Sequence, residues 1–440
     1  MNNVSRVTVI GTGYLGLTHA VCMADLGHQV LGIDVDEEKI AKASRGEAPF
    51  FEPGLEPLLR KNLESGRLRF TTSFAEIGEF GEVHFLCVGT PQGDAGHADL
   101  SYLHAAADAL APHLTADCLV VGKSTVPVGT ARQLLARLRA SAPAAEGVDL
   151  AWNPEFLREG YAVRDSLTPD RIVVGVTSSR ATAALRNVYA TPLAAGIPLL
   201  DMDLETAELV KVAANAFLAT KISFINVMAE VCEAVGADVI PLAEALGHDE
   251  RIGRRFLGPG LGFGGGCLPK DIRAFRATAE SLGVASLVSL LTVADNINLG
   301  RRDKVAAMAR EAVGGELADK RIAVLGAAFK PNSDDVRDSP SLDICDRIAA
   351  EGAIVSVHDP VAMPNAAKKS PQLRYASSVS EAAEGADLVL HLTEWSDYQA
   401  IDPAALAEVA ASKVIIDARC SLDADLWREA GWSVRVLGRP

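Results

Sequence analysis

At 440 residues, the chain has room for two or three domains with full cores. Its 49% hydrophobic and 22% charged content describes a folded globular protein, and a formal charge of −15 excludes general affinity for nucleic acid or anionic membranes. Seven scattered cysteines without a CxxC spacing give no zinc site and fit reduced thiols in a cytoplasmic protein. No continuous apolar run reaches the roughly 18 residues of a membrane span, and Met1-Asn-Asn-Val-Ser-Arg6 lacks the shape of a signal peptide.

Arg6-Val-Thr-Val-Ile10 reads as a short buried strand, followed at once by Gly11-Thr-Gly13-Tyr14-Leu15-Gly16. A helix is predicted to about Leu26, then a second strand over 29–34. This βαβ unit carries the GxGxxG fingerprint: Gly11 for the tight turn, Gly13 for approach of a pyrophosphate, Gly16 for packing helix on strand. Asp34 ends the second strand, where a carboxylate accepts from an adenosine ribose and repels a 2′-phosphate. NAD is therefore expected over NADP.

Further strands at 83–88, 118–121, 150–152 and 171–174 alternate with helical or loop patterns, as in a parallel sheet. Gly89-Thr90-Pro91, Ser124-Thr125-Val-Pro127 and Asn153-Pro-Glu155-Phe156-Leu157-Arg-Glu159-Gly160 follow strand ends, where open α/β sheets bind ligands. Taken singly, each is better explained as capping chemistry.

From about Asp203 to Ala245 the pattern turns helical. Glu208, Lys211 and Asn215, at i, i+3 and i+7, form a polar stripe flanked by Val210, Val212, Phe217 and Leu218. The stripe is either the wet face of the helix or the lining of a site. The segment suits an inter-domain spine and a dimer interface.

Six of the nine residues in Gly258-Pro-Gly-Leu-Gly-Phe263-Gly264-Gly-Gly are glycine, and the run ends on Cys267-Leu-Pro-Lys-Asp271. So much glycine disfavours helix and strand, and suits a backbone passing close to a ligand. Pro269 fits the first turn of a helix, which puts Cys267 near its N-terminus. Partial positive charge there, with Lys270 adjacent, favours the nucleophilic thiolate. The alternative is an inert cysteine beside a linker.

The last third restarts as α/β, with strands at 320–326, 354–359, 387–391 and 413–417 and a helix over 341–351. It lacks GxGxxG, so a mononucleotide is expected there rather than a second dinucleotide, with Lys330, Arg337 and Arg419 supplying positive charge near strand ends. The fold class expected is α/β: two Rossmann-like, doubly wound parallel-sheet domains joined by a long central helix.

Together, Gly11 to Gly16, Phe51-Glu-Pro-Gly-Leu55, Ser124 to Gly129, Asn153 to Gly160, Lys211 with Asn215, Gly258 to Asp271, and Phe329-Lys330 resemble the nucleotide-sugar 6-dehydrogenases, the UDP-glucose/GDP-mannose dehydrogenase family. The resemblance covers nearly the whole chain. It implies an NAD-dependent, four-electron oxidation of a sugar C6 alcohol to a carboxylate through a thiohemiacetal and thioester on Cys267. The lead-in Arg251-Ile-Gly-Arg-Arg-Phe256-Leu257 looks like the UDP-glucose branch; siblings act on GDP-mannose or a UDP-N-acetylhexosamine.

The same resemblance implies roles for single residues. Lys211 and Asn215 would hold the oxyanion, Asp271 would orient hydrolytic water, and Thr125 with Glu155 would hold a water. The first proton would go to Lys211 or to that water. Cofactor contacts carried over are Gly11, Gly13, Tyr14, Leu15, Gly16, Asp34, Lys39, Thr90, Thr125, Glu159 and Arg337. Substrate contacts are Phe156, Leu157, Glu159, Lys211, Asn215, Phe256, Leu257, Phe263, Gly264, Lys330 and Arg419, with Arg251 reaching the neighbouring subunit of a homodimer. Gly258 stands where some relatives carry a lysine. Residues 1–200 would bind NAD, 201–300 form the spine with the cysteine loop, and 301–440 bind the UDP-sugar.

Overall fold

The computed structural model describes residues 4–93 and 96–440; Met1–Asn3, part of the N-terminal stretch read above, lie outside the described residues. The chain forms two compact units, Met1–Ala214 and Asn215–Pro440.

The first unit is built on an eight-stranded sheet of order β3-β2-β1-β4-β5-β6-β7-β8. Its strands are β1 Arg6–Ile10, β2 Gln29–Ile33, β3 Leu68–Thr71, β4 Val83–Leu86, β5 Cys118–Gly122, β6 Val148–Trp152, β7 Ile172–Val176 and β8 Leu199–Met202. Interior strands such as β4, β5 and β6 are buried along their whole length, as expected of strands covered on both faces by helices. All neighbours pair parallel except β6 and β7, which pair antiparallel through Ala151↔Val176 and Trp152↔Gly175. A parallel step needs a crossover to the opposite end of the sheet, whereas an antiparallel step does not. The segment 153–171 therefore stays at the carboxyl ends of β4, β5 and β6, the ligand-binding edge of such sheets.

The second unit holds a six-stranded, wholly parallel sheet, β11-β10-β9-β12-β13-β14. Its strands are β9 Arg321–Leu325, β10 Ile354–His358, β11 Arg374–Tyr375, β12 Leu388–His391, β13 Val414–Asp417 and β14 Ser433–Val436. The expected architecture of two Rossmann-like sheets with a long helix between them in sequence is what the chain adopts.

That helix, Leu204–Val235, is 32 residues long. By length and composition it could cross a membrane, with a mean hydropathy of 1.4 over its best window. The helix holds no continuous apolar run of that length, because Lys211, Asn215 and Lys221 interrupt it. Part of its apolar surface packs inside the protein: Leu204 and Ala207 join the core of the first unit, and Ile225, Ala229 and Cys232 pack with Val239 and Leu257 in the second.

His84 lies in β4, between β1 and β5, and its Nδ1 is 2.8 Å from Thr8 Oγ1. Burial pushes its ring pKa down to about 4. As pH falls from 6.5 toward 4, the unfolded chain gains a proton that the folded chain refuses, so stability is lost across that window. Urea unfolding of the wild type and His84→Gln at pH 7 and pH 4 should show the variant losing roughly 3 kcal/mol less on acidification.

Candidate active site

The cofactor loop follows β1. Gly11 has φ +90°, and a Cβ on Gly16 would lie 1.7 Å from the Gly11 carbonyl oxygen, so the turn and the helix Tyr14–Asp25 close only with glycine at both positions. A Cβ on Gly13 would meet nothing within 4 Å, which leaves space for a phosphate to approach the backbone. Asp34 Oδ2 accepts from the Thr12 amide at 2.7 Å and from Thr12 Oγ1 at 3.1 Å, and Oδ1 accepts from the Asp36 amide. The carboxylate is only half-buried, so it retains lone pairs for a ribose. These residues fit NAD. Lys39 pairs with Asp36 in the first turn of the next helix, and Leu15 packs against the core.

Two strand-end loops are joined by Thr90, whose hydroxyl donates to the Thr125 carbonyl at 2.8 Å. The third loop carries Glu155, and Lys211 Nζ lies 3.0 Å from Glu155 Oε1 with both side chains largely buried. Glu155 Oε2 also accepts from the Leu157 amide at 2.6 Å. Phe156 is flanked by cations, with the Arg171 guanidinium 3.9 Å and Lys211 Nζ 5.7 Å from its ring centroid. Glu208, one turn before Lys211, accepts from the Gly129 and Ala131 amides at 2.6 Å each. Burial pushes the Glu208 carboxyl up and these amides pull it back. The polar stripe is thus not the wet face: Glu208, Lys211 and Asn215 are all buried.

Lys123 was not singled out from sequence, although it precedes Ser124 directly. It is buried, donates to Asn153 Oδ1 at 2.9 Å, and burial pushes its ammonium down to about 8. Tyr189 donates to the same Asn153 oxygen at 2.6 Å. The node pins the end of β5 to the start of the Glu155 loop.

In the second unit, Cys267 is the N-cap of the helix Leu268–Ser281, with Pro269 in its first turn. No disulfide joins the seven cysteines, and Cys267 is the exposed one. Burial pushes the thiols of Cys22 and Cys87, by contrast, up to about 12. The Asp271 amide donates to the Cys267 carbonyl at 2.9 Å, and the buried Asp271 carboxylate accepts from Asn215 Nδ2 and Lys270 Nζ, each at 2.6 Å. An exposed thiol at a helix N-terminus, one turn from a fixed carboxylate, suits nucleophilic chemistry.

The glycine run is held by the protein itself. Phe263 is buried, its amide donates to Asn298 Oδ1 at 2.7 Å and its carbonyl accepts from Asn298 Nδ2 at 3.0 Å. A Cβ on Gly264 would lie 2.4 Å from the Asp338 carbonyl, and one on Gly266 would lie 2.3 Å from the Arg337 guanidinium. Arg419 donates to the carbonyls of Leu392, Gly262 and Phe329 at 2.7–3.1 Å, which makes it a brace of this loop. The Arg337 guanidinium also pairs with Asp335. Phe256 sits at φ +64°, a strained value for an aromatic residue. Leu257 is buried in packing against the long helix, Lys330 Nζ lies 5.3 Å from the Phe329 ring centroid, and Arg251 is exposed and paired with Asp249. Glu159 is buried. Among the described residues no cluster suited to a metal ion occurs.

A GxGxxG unit with an acid-ended second strand, a second α/β unit, and a helix-capping cysteine define an NAD-linked dehydrogenase with a covalent step. The NAD binding, central and UDP binding domain models of the UDP-glucose/GDP-mannose dehydrogenase family match residues 5–193, 205–299 and 323–424, and the chain belongs to that family. It is 43% identical to a UDP-glucose 6-dehydrogenase of Rhizobium meliloti (strain 1021) over 99% of this chain and 100% of that one. UDP-glucose 6-dehydrogenase YwqF of Bacillus subtilis (strain 168) is 40% identical over 99% and 98%. The structure of a UDP-glucose dehydrogenase from the archaeon Pyrobaculum islandicum aligns with TM-score 0.92 at 37% identity, covering 100% of this chain and 99% of that one.

Gly262 has φ +89°, and a Cβ there would lie 2.2 Å from Asn298 Oδ1, whereas one on Gly258 would meet nothing within 4 Å. Gly262→Ala should therefore cost about 1–3 kcal/mol of local order and lower turnover at least tenfold. Gly258→Ala should stay within twofold of wild type in the same steady-state assay.

Proposed function

We propose that the chain oxidises UDP-glucose to UDP-glucuronate, consuming two NAD⁺ per sugar, with Cys267 as the nucleophile. The observation that carries this is the exposed Cys267 thiol at a helix N-terminus with the buried Asp271–Asn215 pair one turn away. NAD⁺, held at Gly11 to Gly16 and Asp34, supplies the hydride acceptor for both oxidations.

In the first oxidation the C6 hydroxyl loses its proton toward the Lys211–Glu155 pair, directly or through a water held by Glu155 and Thr125, and its hydride leaves to give the aldehyde. The Cys267 thiolate adds to the aldehyde carbon, creating an alkoxide that can lose a second hydride. Lys211 and Asn215 donate to that oxygen; removing one such preorganised donor typically costs about 3 kcal/mol of barrier. Loss of the hydride leaves a thioester. Water oriented by Asp271 cleaves it, releasing the carboxylate and restoring the thiol. On this reading residues 1–200 bind NAD, 201–300 carry the nucleophile, and 301–440 bind the nucleotide of the sugar. The unbridged thiols suit the reducing cytoplasm.

The working form, on this reading, is a homodimer. Phe217, Phe224, Val231 and Val235 are all exposed along one side of the long helix, Phe217 by 69%. Lys221, within that stretch, donates to the Ile252 and Gly253 carbonyls at 2.8 and 2.7 Å and so ties the Arg251 loop beside the apolar stripe. A second copy packed on the stripe would bring Arg251, whose side chain is 88% exposed, to a neighbouring sugar nucleotide.

Three experiments test these assignments. Wild type should yield two NADH per UDP-glucose and prefer it over GDP-mannose and UDP-N-acetylhexosamines. Cys267→Ser should release one NADH in a single turnover and then stall at the aldehyde or a slowly cleaved ester; full two-NADH turnover by that variant would remove Cys267 from the covalent role. Co-expressed Arg251→Ala and Cys267→Ala chains should regain partial activity, since a mixed dimer rebuilds one whole site. Mixed dimers that form without any rescue would count against a shared site.

A further inference from the structure

The Phe51-Glu-Pro-Gly-Leu55 motif is not used by the reaction just described, yet its acid is among the most engaged side chains in the first unit. Glu52 is 6% exposed. Its Oε2 accepts from the Gly160 amide at 2.7 Å and from the Tyr14 hydroxyl, and its Oε1 accepts from the Ala162 and Val163 amides at 2.7 and 3.4 Å. The Gly160 amide also reaches the Tyr14 oxygen at 3.2 Å. One carboxylate thereby joins two segments. Tyr14 belongs to the cofactor loop after β1, and Gly160 closes the loop after β6 that carries Glu155 and Glu159.

The surroundings hold Glu52 in place. The turn 52–55 is closed by the Leu55 amide on the Glu52 carbonyl at 3.2 Å, and Leu55 is fully buried. Tyr14 packs on Phe50 with ring centroids 4.8 Å apart. Burial and the neighbouring Glu52 push the Tyr14 hydroxyl's pKa up, which keeps it a donor. Gly160 adopts φ +78°, the conformation that turns its amide to the carboxylate.

We propose that Glu52 is a positioning residue that fixes the Glu155 loop in register with the Tyr14 cofactor loop, and so sets the approach of the sugar's C6 to the hydride acceptor. It makes no contact with reacting atoms. A hydride transfer is sensitive to sub-ångström misplacement, and β1 and β6 are separated by β4 and β5 in the sheet, so a direct tie between their loops has a clear use. The proposal rests on the reading of the chain as an NAD-linked nucleotide-sugar dehydrogenase.

Glu52→Gln keeps the shape and one oxygen, but sets an NH2 group against the Gly160 N–H and the Tyr14 hydroxyl or, flipped, against the Ala162 and Val163 N–H groups. In this variant kcat should fall at least tenfold, while affinities for NAD⁺ and UDP-glucose measured singly change less than threefold. Tyr14→Phe should lower kcat three- to tenfold, and the double variant should match Glu52→Gln within twofold, because both act through one link. A kcat within twofold of wild type in Glu52→Gln, losses that multiply in the double variant, or a loss confined to NAD⁺ affinity would each overturn the proposal. If Glu52→Gln does not fold, Tyr14→Phe decides: at least a threefold loss in kcat at unchanged melting temperature supports the link, and no loss overturns it. NADH yield from wild type tests the enzymatic reading separately. Should wild type oxidise no nucleotide sugar, hydrogen exchange still tests the link, since the Gly160 and Ala162 amides should exchange at least tenfold faster in whichever of the two variants folds, and unchanged exchange overturns it.

Discussion

A buried charge or amide must find a partner or forfeit several kcal/mol, and this constraint governs the long helix Leu204–Val235. Glu208, Lys211 and Asn215 are removed from water while Phe217 and Phe224 are left in it, the reverse of an ordinary amphipathic helix. Each buried group has its own partner: the Gly129 and Ala131 amides for Glu208, Glu155 for Lys211, Asp271 for Asn215. Lys211 and Asn215, the two of these proposed for chemistry, are thus held in place by the cost of desolvation, and Glu208 anchors the turn at 129–131 in the same way.

What could be read from sequence divides along a physical line. The strands legible in the sequence, β1, β2, β4 to β7, β9, β10, β12 and β13, are all interior, and most are apolar runs buried on both faces. Those not recognised, β3, β8, β11 and β14, are the edges of the two sheets. Their side chains are mostly exposed or half-buried, so they carry neither a continuous apolar run nor a clean alternation. The cysteine loop was legible because glycine density and a following proline have few other uses. Lys123 was not, and Glu52 was legible only as a member of the Phe51–Leu55 motif without a role, since nothing local marks a polar residue whose partners lie 30 to 111 positions away.

The two sheets also share a device. Asp34 and Asp359 follow their second strands, and each binds amides just after the first strand: Thr12 for Asp34, Ala327 and Ala328 for Asp359. Asp359 is fully buried and accepts in addition from Val361, Ala362 and the Trp395 indole. Five donors saturate it, whereas Asp34 keeps one side open to solvent. The same carboxylate position is a saturated structural knot in one unit and keeps an open side in the other.

The reversal between β6 and β7 has a consequence for how the loop after β6 is anchored. Because Trp152 and Gly175 are register partners on adjacent strands, the excursion 153–171 leaves and re-enters the sheet on neighbouring strands at the same end. It behaves as a closed cassette, clasped at its base by sheet hydrogen bonds and at its crown by the amides of Gly160 and Ala162 on Glu52. Loop-closure entropy for such a cassette depends only weakly on its length. The two clasps, rather than the length of chain between them, therefore fix where the cassette leaves and rejoins the sheet.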